Sequence, residues 1–174
     1  MSEVPDLRLL TSAARRDGIE QLSVAVVVRH DGKVLLLRRP VVDKAIEGEW
    51  EIPTGALDLS EDLSSAIITL VRTATCLRAG SITQVLTQLD GAASDLGTRQ
   101  RLVAFVVDVA VPEPIEVIDH DAYTWTSLVA ETPLVTETTQ TVLGLYSRAH
   151  GIHARQRRGY HTTATTPGTE DKER

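Results

Sequence analysis

Residues 22–38 constrain the fold most. The run 22–29 is rich in β-branched residues, with Val24, Val26 and Val28 on one face. His30-Asp31-Gly32-Lys33 follows, and an Asp-Gly pair tolerates the positive φ that a tight hairpin turn demands. Residues 34–38 then return as a second strand, so the segment reads as a β-hairpin.

The rest of the chain alternates helix and strand signals. Residues 6–16 carry Leu7, Leu10, Ala13 and Ala14 at helical spacing, stopped by Gly18. Residues 50–53 read as a short extended piece before a loop containing Gly55. A helix is expected over 61–77, with Ser60 as N-cap and Glu61 and Asp62 in its positive first turn. Leu63, Ala66, Ile67, Leu70, Val71, Ala74 and Leu77 form its apolar stripe. Strands are expected over 82–89 and 102–109, a loop over 90–98 between them, and a further short strand over 114–118. Thr136 would cap a last helix, with Val142, Leu143, Leu145 and Tyr146 inward and Gly151 past its end. This order predicts an α+β fold with mixed strands sandwiched between helices.

Composition excludes several classes. With 174 residues the chain suggests one domain, and 42% hydrophobic against 24% charged residues supports a buried core. Only 3% is aromatic, so that core must be built from Val, Leu, Ile and Ala. The longest apolar runs, 102–107 and 24–28, fall far short of the ~18–20 residues that span a bilayer. Residues 1–6 are acidic without an apolar core, so no secretory leader is read there and a cytoplasmic protein is expected. A single cysteine, Cys76, rules out an internal disulfide framework and a cysteine-based zinc cluster. A formal net charge of -6 argues against a nucleic-acid polymer as partner. Arg155, Arg157 and Arg158 form a basic knot in a Thr-rich, then charged, segment from residue 152 onward, which reads as a mobile tail.

The segment 48–77, GEWEIPTGALDLSEDLSSAIITLVRTATCL, resembles the Nudix fold family, particularly its MutT-like nucleotide-sanitising branch. That family's box runs Gly, five residues, Glu, seven residues, then Arg-Glu-apolar-x-Glu-Glu-x-Gly-apolar. Gly55 and Glu61 take the first two positions at the right spacing, and Val71 and Leu77 keep the apolar ones. The flanks agree: Arg38-Arg39-Pro40 after the second hairpin strand, Trp50-Glu51-Ile52-Pro53 before the box, Thr98-Arg99-Gln100 before an apolar strand, and His120 to Trp125 as the late strand and turn. The resemblance covers residues 20–148. It implies a Nudix-like α/β/α sandwich with a mixed β-sheet over 20–151, an N-terminal extension over 1–19 and a tail over 152–174.

The box is degenerate. Thr69 stands where the family has Arg, Leu70 where it has its first helical Glu, Thr73 and Ala74 where it has a Glu pair, and Cys76 where it has Gly. Family chemistry is metal-assisted attack of water on a diphosphate, and Mg²⁺ wants six hard oxygen ligands. Leucine and alanine offer none and Thr73 offers one neutral hydroxyl. Glu61, Asp58 and Glu51 do not rebuild the cluster. No bound metal and no cofactor is therefore expected, nor conventional Mg²⁺-dependent Nudix hydrolysis. Leu70 and Ala74 would instead line a drier pocket suited to a small organic ligand.

Glu51, Glu61 and His120 are the candidate acid–base residues. Arg38, Arg39, Trp50, Asp58, Leu70 and Arg99 are the candidate ligand contacts. Each has a plain structural alternative: a solvated strand arginine, a first-turn helix glutamate, a turn-forming aspartate, a packed tryptophan. Cys76, ending an apolar helix, reads as a buried, inert thiol. Three functions follow: a repurposed metal-independent enzyme of isomerase, cyclase or lyase type, a non-catalytic nucleotide- or metabolite-binding protein, or a residual diphosphate hydrolase. The expected partner is a small molecule, with no membrane and no polymer, on a monomer or homodimer.

Overall fold

The structure, a computed structural model, describes residues 6–40, 48–92, 97–129 and 133–152. Ten elements run in the order α1 (Leu7–Arg16), β1 (Gln21–His30), β2 (Lys33–Arg38), β3 (Trp50–Glu51), β4 (Thr54–Leu57), α2 (Leu63–Thr75), β5 (Ser81–Ala92), β6 (Arg99–Asp108), β7 (Ala122–Thr126) and α3 (Glu137–Ala149) among the described residues.

The hairpin forms as its turn chemistry requires. Arg29 pairs with Val34 and His30 with Lys33, while Asp31 (φ 46°) and Gly32 (φ 73°) both take positive φ at the turn. Among the described residues seven strands make one sheet, with the path β3-β2-β1-β6-β5, β4 added to β1 and β7 added to β2. The β1–β6 pairing is parallel and the others are antiparallel, so the sheet is mixed.

Both faces of the central strands are buried. On one face Val24, Val26, Val28, Leu35, Leu37, Val103, Phe105 and Val107 pack with Leu63, Ile67 and Val71 of α2 and Ala14 of α1. On the other, Ala25, Val27, Val34, Leu36, Ala104 and Val106 pack with Val142, Leu143 and Tyr146 of α3. This is the expected α/β/α sandwich, and its core is aliphatic around Phe105, the chain's one phenylalanine. No helix among the described residues is long and apolar enough to cross a membrane.

Several local expectations are corrected. The helix α2 starts at Leu63 with Asp62, not Ser60, as its cap: the Asp62 carboxylate accepts from Ser65 N at 2.9 Å. Ser60 is captured by Asp58, whose Oδ1 accepts from both its N–H and its hydroxyl. The expected loop around Gly55 is strand β4, paired with β1 from Leu22↔Leu57 to Ala25↔Thr54. The strand β5 runs on to Ala92, beyond the expected end at 89, and the middle of the expected loop, 93–96, lies outside the described residues. No strand forms over 114–118; Pro114 has no N–H, and Glu116 N donates to Thr75 O at the end of α2. Cys76 is exposed rather than buried. The basic knot of Arg155, Arg157 and Arg158 lies outside the described residues.

Candidate functional site

Two cavities flank β4. One, of about 460 Å³, lies between β4 and α2 and is lined by Val24, Leu57, Ala66 and Leu70, with Thr69, Thr73, Ser65, Glu61 and Asp62 at its polar edge. The other, of about 440 Å³, is lined by Ser23, Arg39, Glu49, Glu51, Thr54, Gln100 and the first turn of α3. Gly55 and Ala56 belong to both walls. Gly55 lets α2 pack close onto the strand backbone: a Cβ at this position would lie 3.1 Å from Cδ1 of Leu70, and that side chain would have to shift.

Strand pairing sets the surroundings of Glu51, which lines the second cavity. Leu37 and Arg38 of β2 pair with Glu51 and Trp50 of β3, and with Tyr123 and Ala122 of β7. This register brings His120, just ahead of β7, to Glu51. The imidazole Nε2 lies 2.9 Å from Glu51 Oε1, and Arg39 Nε donates to Glu51 Oε2 at 2.7 Å. His120 Nδ1 is buried without a partner. Arg38 donates to Asp121 at 2.6 Å, and its guanidinium stands 5.7 Å from the centre of the Trp50 ring. Both candidate arginines are thus already held by carboxylates.

The first turn of α3 is locked against β3. Trp50 N donates to Leu134 O and Thr136 N to Trp50 O, both at 2.9 Å. The buried Thr139 hydroxyl accepts from Ile52 N at 3.1 Å and from the Thr136 hydroxyl at 2.9 Å. On the far wall Gln100 donates to Ser23 Oγ at 2.6 Å.

The other candidates lie elsewhere. Glu61 lines the α2 cavity, and its carboxylate accepts from Asp58 N at 3.4 Å; it does not join Glu51 and His120. Asp58 is turned onto Ser60, whose hydroxyl and N–H hold its carboxyl below the ordinary aspartate range. Asp62 is held low in the same way by Ser65. Leu70 is half-buried beside Gly55 in the α2 cavity. Arg99 lines neither cavity; its guanidinium donates to Asp17 O at the end of α1. Glu49 and the first turn of α3 were not anticipated as part of the cleft. Glu49 is one residue from Trp50 with no distinguishing pattern, and α3 reaches the cleft through tertiary contacts alone.

A family model described as the NUDIX domain matches residues 20–140. No curated protein matches the chain. Among solved structures, a MutT NUDIX hydrolase from Burkholderia pseudomallei superposes with a TM-score of 0.58 at 19% identity, covering 72% of this chain and 96% of that one. An ADP-ribose pyrophosphatase from Streptococcus suis gives 0.57 at 16% identity, covering 78% and 94%. The NUDIX domain of Shewanella oneidensis NrtR, solved with ADP-ribose, gives 0.52 at 19% identity, covering 74% and 86%.

Proposed function

The chain belongs to the Nudix family, and from that premise we propose that it binds a small organic ligand in the cleft around β4 without the family's metal cluster. The observation that carries this reading is the α2 wall. Thr69, Leu70 and Thr73 face the cavity with methyls and hydroxyls, while Ala74 packs onto the core. Mg²⁺ needs several hard, charged oxygens in octahedral array. Among the described residues no group of three His, Cys, Asp or Glu side chains is placed to hold a metal. Asp58 Oδ1 is turned onto Ser60, and Glu51 is shared between Arg39 and His120. This donor set does not fit the ion. The ADP-ribose bound to the NrtR domain supports small-molecule binding as a use of the fold.

A second reading is favoured by one contact. Glu51 lines the polar cavity and His120 is bonded to it from behind, so a metal-independent acid–base step of isomerase, cyclase or lyase type would act through Glu51 with His120 as its partner. Binding without turnover ranks first because His120 Nε2 is taken up by Glu51 and its Nδ1 is buried, so neither ring nitrogen is presented to a ligand.

The deciding experiment is a thermal-shift and mass-spectrometric screen of nucleotides, nucleosides, amines and organic acids, with EDTA and with Mg²⁺ or Mn²⁺. Saturable binding that is indifferent to EDTA and leaves the ligand unchanged is the expected result. Metal-dependent release of phosphate or pyrophosphate, lost in Glu61→Gln, would overturn the proposal. Metal-independent turnover lost in both Glu51→Gln and His120→Ala would establish the second reading instead.

A further inference from the structure

We propose that residues 160–166 add to the outer edge of β5 as a further strand, parallel to it, so that the chain's own C-terminal segment covers that end of the sheet. These residues lie outside the described ones, and their composition alone reads as part of a mobile tail. The inference is independent of the reading of the cleft.

Three observations carry it. The first is the edge itself. The strand β5 is 12 residues long, and among the described residues it pairs with β6 alone. Its outward N–H and C=O groups need partners, either water or another strand. Residues 81–89, Ser-Ile-Thr-Gln-Val-Leu-Thr-Gln-Leu, contain no charge and no proline, the devices that commonly blunt an exposed edge. Two register shifts, between Ile82 and Gln84 and between Val85 and Thr87, bend the first half, but Thr87 to Ala92 stays in unbroken register with β6. Ile82, Val85, Leu86 and Leu89 are only half-buried, whereas Val103, Phe105, Val106 and Val107 of neighbouring β6 are buried. A strand alongside would remove that remaining apolar surface from water.

The second observation is the course of the chain at residue 152. Helix α3 lies against β5 in the opposite sense: Thr141 and Leu89 line one groove, and His150 Nε2 is 3.0 Å from Gln84 Oε1. Gly151, at φ 64°, ends the helix in a left-handed turn, and Ile152 packs on the same buried cluster as Leu86. A chain that doubles back from this turn runs along β5 in β5's own direction. The third is the sequence that follows. Residues 160–166, Tyr-His-Thr-Thr-Ala-Thr-Thr, are rich in strand formers and lie between the breakers Gly159 and Pro167-Gly168. Extended, they span roughly 23 Å, enough to cover the unbroken half of β5. The connection 153–159 has a similar reach. Tethering holds the segment at an effective concentration of order millimolar, which favours it over a second copy of the chain in dilute solution.

The test is hydrogen exchange of the full chain, read by mass spectrometry over a concentration series. Amides of 160–166 should exchange about tenfold or more slower than in a synthetic peptide of 153–174. Thr163→Pro removes a ladder N–H and fixes φ. It should return these amides to the peptide rate and speed the outward amides of 87–92 about tenfold, leaving those of β1 unchanged. Thr163→Val, still a strand former, should keep the protection. A nitroxide on Thr166→Cys, in a Cys76→Ala chain, should broaden the NMR signals of amides near Leu89 and spare those near Ser81. Amides of 160–166 exchanging at the peptide rate in the parent chain would overturn the inference, as would broadening confined to Ser81. Protection of β5 that survives Thr163→Pro and rises with concentration, together with a dimer by light scattering, would assign the edge to a second copy instead. Protection that survives Thr163→Pro in a monomer would show that the edge needs no cover.

Discussion

Glu51 and His120 meet across 2.9 Å at a depth where their side chains are 12% and 13% exposed. Their shared bond fixes the imidazole. A carboxylate oxygen only accepts, so the proton of the bond sits on Nε2. Nitrogen-detected NMR of the imidazole should therefore show the Nε2–H tautomer, with Nδ1, buried and unpartnered, carrying none. A signal from the opposite tautomer would mean that Glu51 does not orient the ring. The same bond predicts an order of variants. Glu51→Gln keeps an acceptor for Nε2–H, whereas Glu51→Leu leaves that donor buried and unpaired. Urea unfolding should place Glu51→Leu about 2 kcal/mol below Glu51→Gln.

Leu70 and Gly55 are coupled by contact rather than by charge. A Cβ on residue 55 would sit 3.1 Å from Leu70 Cδ1, tighter than ordinary packing. Gly55→Ala is expected to cost about 1 kcal/mol, at the low end for overpacking because Leu70 is half-buried and can shift. In a Leu70→Ala background the same change should cost close to nothing, since the clashing methyl is gone. A double-mutant cycle measures the difference directly. Additive effects would show that α2 does not rest on β4 at this point.

The hairpin and the three helices were legible because local chemistry specifies them: Asp-Gly at the turn, and apolar residues at helical spacing along α2. What local chemistry does not specify was missed or displaced. The strand β4 is Thr-Gly-Ala-Leu, poor in strand formers, and exists because β1 offers it an edge. Ser60 and Asp62 are both good caps; in the fold Ser60 is engaged by Asp58 and Asp62 caps the helix. At the site, Glu51 and His120 read as acid–base candidates together with Glu61, but nothing in the sequence shows that the first two touch. Their meeting depends on β3 and β7 both registering against Leu37 and Arg38, which no spacing in the chain displays. Glu61, equally prominent in the sequence, follows the α2 loop away from that pair.

The loop before α2 should weaken in acid. Asp58 and Asp62 are both held below the ordinary aspartate range, by hydrogen bonds from Ser60 and Ser65 respectively. Asp90 is held low by Arg101. A carboxyl whose folded value is depressed contributes stability that is complete above its unfolded value. That contribution drains as pH falls through the folded value. The melting temperature should thus be flat near neutrality and fall below about pH 4. Asp62→Asn keeps a capping oxygen but no longer titrates, so its acid decline should be shallower than the parent's. Parallel curves would assign the acid loss to other groups.

Cys76 ends α2 in the left-handed region, at φ 59°, with its N–H donating to Arg72 O at 2.8 Å. This is the position where the resembling family carries glycine, and the backbone explains why. A side chain with a Cβ costs roughly 1–2 kcal/mol there, while glycine adopts the conformation freely but loses more chain entropy on folding. The balance favours glycine: Cys76→Gly should stabilise the protein by about 0.5–1 kcal/mol in chemical denaturation. Cys76→Ala should be close to neutral, because alanine keeps the Cβ and the exposed thiol contributes little packing. If glycine and alanine shift stability equally, the gain comes from losing the thiol and the left-handed cap stores no strain.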